Sequence, residues 1–288
     1  QDASRRDFTI NSIYSDSEGN LFDPFNGKRD LENGLINFIG DTDTRVKEDY
    51  LRILRYLRFF ANYSKQPHNP DVIRKLKIHI GGVLKLSKER LLDELKKIVD
   101  LETLEKITKN KISLSLFQLI FPELKNINIF SKLNSELKEI IKEADFIFLI
   151  SLMVLDNTDN TDYFIYKFNI SKKNQKRIKI IDNFYKEKIQ SKTFTEDEMN
   201  KIFYYDGRQA VIDILNYQLI KSKKIDQRLI ELIDLYKHKI VPKMPIGAEI
   251  LMKKFNIPEG KQLGLKLKLI EEEWVRNNFN ISDKQINN

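Results

Sequence analysis

Two short runs hold the side chains best suited to chemistry: Arg5-Arg6-Asp7-Phe8-Thr9-Ile10-Asn11, and Asp49-Tyr50-Leu51-Arg52-Ile53-Leu54-Arg55-Tyr56-Leu57-Arg58. Arginine presents planar, bidentate donors that fit a phosphate or a base edge. Adjacent arginines such as Arg5 and Arg6 at a strand entry suit a polyphosphate, and Asp7 or Asn11 could hold a ribose hydroxyl. In the second run Asp49, Arg52, Arg55 and Arg58 recur every third residue, and Asp49 could fix a guanidinium or accept a donor itself. The plainer alternative is a solvated helix stitched by carboxylate–arginine pairs.

Helical stepping places Tyr50, Ile53, Leu54, Leu57, Phe60 and Ala61 on one arc and Asp49 with the three arginines on the opposite side. Leu51 and Phe59 fall among the arginines, which implies a partly enclosed surface. Arginine is scarce in this chain, yet Arg5, Arg6, Arg29, Arg45, Arg52, Arg55 and Arg58 all lie in the first 58 residues. Bidentate chemistry is therefore concentrated there.

The elements that must position these groups are short strands and then helices. Phe8 to Tyr14 alternates as a strand does, Asp16-Ser17-Glu18-Gly19-Asn20 reads as a turn, and Leu21-Phe22-Asp23 opens a second strand. A lone hairpin is marginal in water, so its sheet is expected to be completed by residues preceding Gln1 or by another chain. Asp23-Pro24-Phe25-Asn26-Gly27 is a further turn, Lys28 to Asn33 a short helix, and Leu35 to Gly40 a last strand. Beyond Asp43 the pattern predicts helices over about 44–63, 70–80, 87–99, 101–108, 112–120, 134–155, 160–168, 171–188, 195–203, 208–220, 225–237, 247–255 and 261–277. Ser87 is a natural helix cap, with Glu94 one turn on from Arg90. The Val241 to Gly247 segment reads as a linker into a small terminal unit, where Leu263, Leu267, Ile270 and Trp274 form a packing stripe.

The chain has 288 residues and a net charge of +8, long enough for two domains and positive enough to permit a nucleic-acid partner. Lysine supplies most of that excess. Cysteine is absent, and His68, His79 and His238 lack ligand spacing, so neither disulfide nor zinc site is expected. The longest apolar run, Phe146 to Leu155, is too short to span a bilayer. No signal peptide is recognisable, and the expectation is a cytoplasmic protein without a membrane partner.

In order along the chain, Arg5 to Ser12, Asp23 to Leu31, Glu48 to Phe59 and Ser87 to Leu95 resemble the RRDFTxNA, DPxxGxxDL, EDxLRxxRxxRF and SxERxxxEL motifs of the class II tRNA nucleotidyltransferases. These are the CCA-adding enzymes and their relatives the bacterial poly(A) polymerases; Ser12 stands where the family has alanine. Phe168-Asn169-Ile170-Ser171, Asp206-Gly207-Arg208 and the Pro245 to Trp274 segment are similar to the body and tail of such proteins.

The resemblance implies a mainly α fold: the C-terminal remainder of a mixed α/β head over 1–42 with hairpin strands, a helical neck over 43–100, a body over 101–240 and a tail over 241–288. It implies transfer of CMP and AMP from CTP and ATP to a tRNA 3′ end. Poly(A) addition, or a non-catalytic RNA-binding remnant, is the alternative. Arg6, Asp49, Arg52, Arg55 and Arg58 match the nucleotide-binding positions, with Arg5, Asp7 and Asn11 near ribose or phosphate. The family's DxD carboxylates, which hold magnesium for phosphoryl transfer, are expected before residue 1, so no catalytic or metal-binding residue is assigned. The resemblance thus implies a C-terminal fragment or split-enzyme subunit, inactive alone. A separate N-terminal chain is the expected partner for completing the head. Asp41-Thr42-Asp43, a superficial substitute, reads as a turn and helix cap.

Overall fold

The computed structural model describes residues 2–187, 195–222, 225–255 and 258–282. The chain forms two compact units, Gln1–Ile178 and Lys179–Asn288. In the first unit the only paired strands among the described residues are β1 (Tyr14–Ser15) and β2 (Leu21–Phe22), joined antiparallel with Tyr14 opposite Phe22. Asp16 closes the turn by accepting the Glu18 and Asn20 N–H groups.

The strand expected over 8–14 is largely absent: Thr9–Asn11 is a 3-10 turn. Short polar side chains draw the backbone away from a ladder, for Asn11 accepts the Phe8 N–H at 3.2 Å and the Ser12 hydroxyl donates to the Thr9 carbonyl at 2.7 Å. The strand expected over 35–40 is likewise reduced to one antiparallel bridge between Phe8 and Phe38. That bridge still matters. It ties Asp7 and Thr9 to Asn37 and Ile39 through two backbone bonds of 3.0 Å.

The helices of the first unit are α1 (Gly27–Asn33), α2 (Thr42–Glu48), α3 (Leu51–Tyr63), α4 (Pro70–His79), α5 (Lys88–Ile98), α6 (Leu101–Lys109), α7 (Lys111–Ile120), α8 (Ser135–Ile140), α9 (Phe146–Val154) and α10 (Asn160–Lys167), with 3-10 segments at Ile80–Lys85 and Ile127–Lys132. Helix α11 (Lys172–Glu187) spans the unit boundary, and α12 (Glu196–Tyr205), α13 (Arg208–Ser222), α14 (Gln227–His238), α15 (Ala248–Phe255) and α16 (Lys261–Arg276) follow. The last residue of the helix expected over 171–188 lies outside the described residues.

Two expected helices are each broken in two, both by an aspartate. Asp145 caps α9 by accepting the Phe148 N–H at 3.0 Å, which splits the span 134–155. Asp49 does the same between α2 and α3: its backbone is extended and its carboxylate accepts the Leu51 N–H at 3.1 Å. The boundary between compact units falls inside the span expected as one body, and segment 241–247 joins elements of a single unit.

Helix α3 is the axis of the first unit. Its apolar arc buries Ile53, Leu54, Tyr56 and Leu57, and an aromatic cluster closes over it: Phe8 lies 4.8 Å from Phe38 and 5.1 Å from Phe59, while Tyr56 stacks on Phe38 at 6.0 Å. His68 is buried against Phe60 at 3.4 Å, with Nδ1 3.0 Å from the Tyr56 hydroxyl and Nε2 2.9 Å from Ser113 Oγ. Burial pushes its pKa down to about 4.

The second unit has its own core. Ile246, Leu251, Leu263 and Ile270 pack together, with Leu267 partly buried against them. Trp274 is 2% exposed and meets Tyr204 edge-on at 5.4 Å. No helix among the described residues is long and apolar enough to cross a membrane.

Candidate nucleotide-binding site

The turn at Asp23 to Leu31 is the mount for the first arginine run. Asp23 accepts the N–H groups of Gly27 and Lys28 at 2.7 and 2.9 Å, which starts α1. Asp30 then accepts from the Thr9 hydroxyl at 2.6 Å and from Asn37 at 3.0 Å. Gly27 lies so close to the Thr9 carbonyl that a Cβ would sit 2.1 Å from its oxygen, so only glycine fits.

Arg5 and Arg6 stand on the exposed end of this mount. Both reach Asp2, Arg5 through Nε at 2.5 Å and Arg6 through Nη2 at 3.1 Å, and Arg6 also donates to the Tyr14 hydroxyl at 3.3 Å. Their backbone is tethered to α2, because Arg45 Nη2 donates to the Arg5 and Arg6 carbonyls at 3.0 and 2.5 Å. Asn11 is spent on its own turn and does not join the arginine cluster.

Asp7 points the other way, into the protein, and is 4% exposed. Arg52 Nε donates to it at 2.7 Å and Arg55 Nη2 lies 2.8 Å from its second oxygen. Arg52 Nη1 bonds Glu48 at 2.6 Å and the Arg45 carbonyl at 2.5 Å, while Arg45 Nη1 shares the same Glu48 oxygen. Burial disfavours the Arg52 charge, but the bonds to Glu48 and Asp7 outweigh it and raise its pKa. The same bond from Arg52 holds the Glu48 carboxyl below its usual range. Arg58 is clamped separately: its Nε meets Glu94 at 2.6 Å, and Glu94 is 2% exposed.

The arginines of α3 are therefore neither solvated nor loose. Each is held by a buried or shared carboxylate that comes from outside the helix or from the turn before it. Arg52 Nη2 meets no protein acceptor among the described residues, so one edge of its guanidinium stays available.

Asp49 does not lie on a continuous helix with Arg52, as its place on the polar arc suggested. It occupies the break between α2 and α3, where its Oδ2 accepts from Arg90 at 2.7 Å. Tyr50 next to it lies against Gly82, whose added Cβ would come within 2.2 Å of the ring. Ser87 caps α5 through the Arg90 N–H at 3.3 Å. Arg90 and Glu94 do not pair with each other; both reach across to the α2–α3 segment.

Four participants named in the sequence reading were not assigned to the site there: Arg45, Glu48, Glu94 and Arg90. Glu94 left a signal, since it shares a helical stripe with Leu91, Leu95 and Ile98, and a carboxylate among apolar positions requires a cationic partner. Glu48 stands four residues before Arg52, the favourable order for a helical pair.

Asp41 and Asp43 are committed to structure. Asp41 caps α2 through the Thr44 N–H at 2.9 Å and pairs with Lys75 at 3.0 Å, which bring its pKa down to about 2. Asp43 pairs with Lys47 and His79, each at 2.5 Å. Among the described residues no group of three or more potential ligands could hold a metal ion.

Residues 1–37 match the family described as Poly A polymerase head domain. The mitochondrial CCA tRNA nucleotidyltransferase 1 of Mus musculus is 27% identical over 290 residues, covering 99% of this chain and 65% of that protein. The CCA-adding enzyme of Staphylococcus haemolyticus is 31% identical over 216 residues, 75% of this chain and 51% of that protein. Among solved structures, the Bacillus stearothermophilus CCA-adding enzyme in complex with CTP superposes with a TM-score of 0.65 at 17% identity, over 99% of this chain and 71% of that one. The Thermotoga maritima CCA-adding enzyme complexed with tRNA gives 0.61 at 20% identity, over 99% and 72%. The chain thus spans about two thirds or less of the length of these curated relatives.

The fold is that of a nucleotidyltransferase. With its ordered motifs, the chain is similar to the class II family of CCA-adding enzymes and poly(A) polymerases.

Proposed function

We propose that this chain provides the base-reading and RNA-holding part of a CCA-adding enzyme, which transfers CMP and AMP from CTP and ATP to a tRNA 3′ end. In this reading residues 1–42 end the head, 43–100 are the neck, 101–240 the body and 241–288 the tail. The bacterial relatives support a cytoplasmic setting. The magnesium carboxylates lie on a segment beyond these residues, on the same polypeptide or a separate one, and the metal there would activate the attacking hydroxyl and stabilise the phosphates.

The observation that carries the reading is the acceptor–donor pair at the α2–α3 break. Asp49 is half-buried and held by Arg90 and the Leu51 N–H, while Arg52, whose own N–H bonds the Asp49 carbonyl at 3.1 Å, keeps Nη2 outside its internal bonds. Cytosine and adenine both offer an exocyclic amine beside a ring-nitrogen acceptor, so a carboxylate and a guanidinium suit either base. Uracil and guanine reverse that order. The buried carboxylate of Asp7 and the exposed one of Glu48 fix the guanidinium before the nucleotide arrives, which lowers the ordering cost of binding. Arg6, on the exposed mount, is suited to the phosphates, with Arg55 and Arg58 extending the cationic wall.

The test is kcat/KM for CTP, ATP, UTP and GTP in the enzyme carrying its carboxylate segment, with Kd for each nucleotide on this chain alone. Asp49→Ala should lose preference for CTP and ATP worth about 1–3 kcal/mol. Equal slowing with all four nucleotides would leave Asp49 as a structural partner of Arg90 only. Poly(A) addition is the second reading, favoured by the match at residues 1–37; incorporation of AMP alone, repeated without limit, identifies it.

A further inference from the structure

The first residue of α5, Lys88, holds its ammonium 5.1 Å from the centre of the Tyr166 ring. That ring is 77% exposed, and Tyr163, one turn earlier on α10, is 54% exposed. Neither tyrosine packs on another aromatic ring or bonds through its hydroxyl among the described residues. Three residues before Lys88, Lys85 lies 6.0 Å from the Tyr50 ring, and Tyr50 adjoins Asp49. No carboxylate pairs with Lys85 or Lys88 among the described residues, whereas Lys47, Lys75 and Lys97 of the same unit are each paired.

An unpaired cation beside an open aromatic face is a defined chemical offer. The ring face stacks an unpaired base, and the ammonium neutralises the neighbouring phosphate. A protein partner fits less well, because lysine is depleted at protein–protein interfaces. A duplex also fits less well, since its bases are already stacked.

We infer that Tyr166 and Lys88 form a stacking site for an unpaired nucleotide of an RNA 3′ end, whose strand passes Lys85 and Tyr50 on its way to Asp49. The inference rests on the reading of this chain as an RNA 3′-end nucleotidyltransferase component. It adds to that reading a place where the strand is gripped.

The experiment titrates the full chain against a short single-stranded RNA carrying 2-aminopurine, and against a blunt RNA hairpin, over a range of salt concentrations. The single strand should bind with stacking-induced quenching. Tyr166→Ala should weaken it about tenfold or more, Tyr166→Phe should preserve it, and Lys88→Gln should reduce the salt slope by about one ion. The hairpin should bind the wild type and Tyr166→Ala alike, and the melting curve of Tyr166→Ala should match that of the wild type. Unchanged single-strand affinity in Tyr166→Ala, with salt-dependent RNA binding intact, overturns the stacking site and leaves the functional reading standing, as does equal weakening of strand and hairpin. If the wild type binds no RNA at low salt, the functional reading itself falls and the stacking site falls with it.

Discussion

Asp7 and Arg52, 45 residues apart in sequence, meet at 2.7 Å with their side chains 6% and 10% exposed. The bond fastens the segment around Asp7 to the arginine helix and orients the guanidinium of Arg52, whose backbone N–H bonds the Asp49 carbonyl. A buried pair of this kind is costly to break from one side, because the remaining charge is left without compensation.

Asp7→Asn should therefore destabilise the first unit by about 3 kcal/mol, since Arg55 loses its counter-charge and Arg52 keeps only Glu48. Urea unfolding followed by far-ultraviolet circular dichroism measures it. A loss below about 0.5 kcal/mol, the range of an exposed pair, would show that water replaces the carboxylate.

His68 makes stability depend on pH. Its folded pKa, about 4, lies below the ordinary value of 6.5, so the unfolded chain binds the proton more readily. Its contribution is fully present above pH 6.5 and is lost as pH falls towards 4, amounting to about 3 kcal/mol once both states are protonated. In His68→Gln the stability difference between neutral and acidic buffer should shrink by a comparable amount. An unaltered pH profile would refute the assignment.

Gly81 and Gly82 offer a paired comparison. A Cβ on Gly81 meets nothing within 4 Å, whereas on Gly82 it would lie 2.2 Å from the Tyr50 ring. Gly81→Ala should be neutral or stabilising by up to about 1 kcal/mol. Gly82→Ala should cost about 1–3 kcal/mol and move Tyr50, with Asp49 beside it, so nucleotide preference should change only in the second variant. Equal melting temperatures for the two would contradict the packing described.

Given tRNA lacking its 3′ end, labelled CTP and ATP, and magnesium, this chain alone should incorporate no label, because Asp41 and Asp43 are committed to a cap and ion pairs and no group of three or more potential ligands among the described residues could hold a metal ion. Sustained incorporation by a pure sample would require another set of metal ligands.

Most helices were legible because their apolar periodicity and caps agree, as at Ser87 and Asp41. The places that misled share one cause. A polar side chain took over backbone bonding: Asn11 and Ser12 curled a predicted strand, and Asp49 and Asp145 each ended one helix and began another. At the site, residue types announced an anion-binding surface, but the partners of the arginines were hidden by distance along the chain. Nothing local in the Arg5 to Asn11 run says that Asp7 faces inward while Arg5 and Arg6 face outward. That choice is made by Phe8, which buries its ring against Phe38 and Phe59 and turns its neighbours to opposite sides.

The single tryptophan turns the division into two units into something that can be watched. Trp274 is buried against Tyr204 and Phe279, all within the second unit, so its fluorescence registers the loosening of that unit and not of the first. Circular dichroism records helices throughout the chain. Followed together through a denaturant titration, the two signals separate if the arginine site and the C-terminal helices melt as independent cooperative blocks, and coincide if they do not. An untouched native side chain thus serves as a reporter for the second unit, with no label attached to the first.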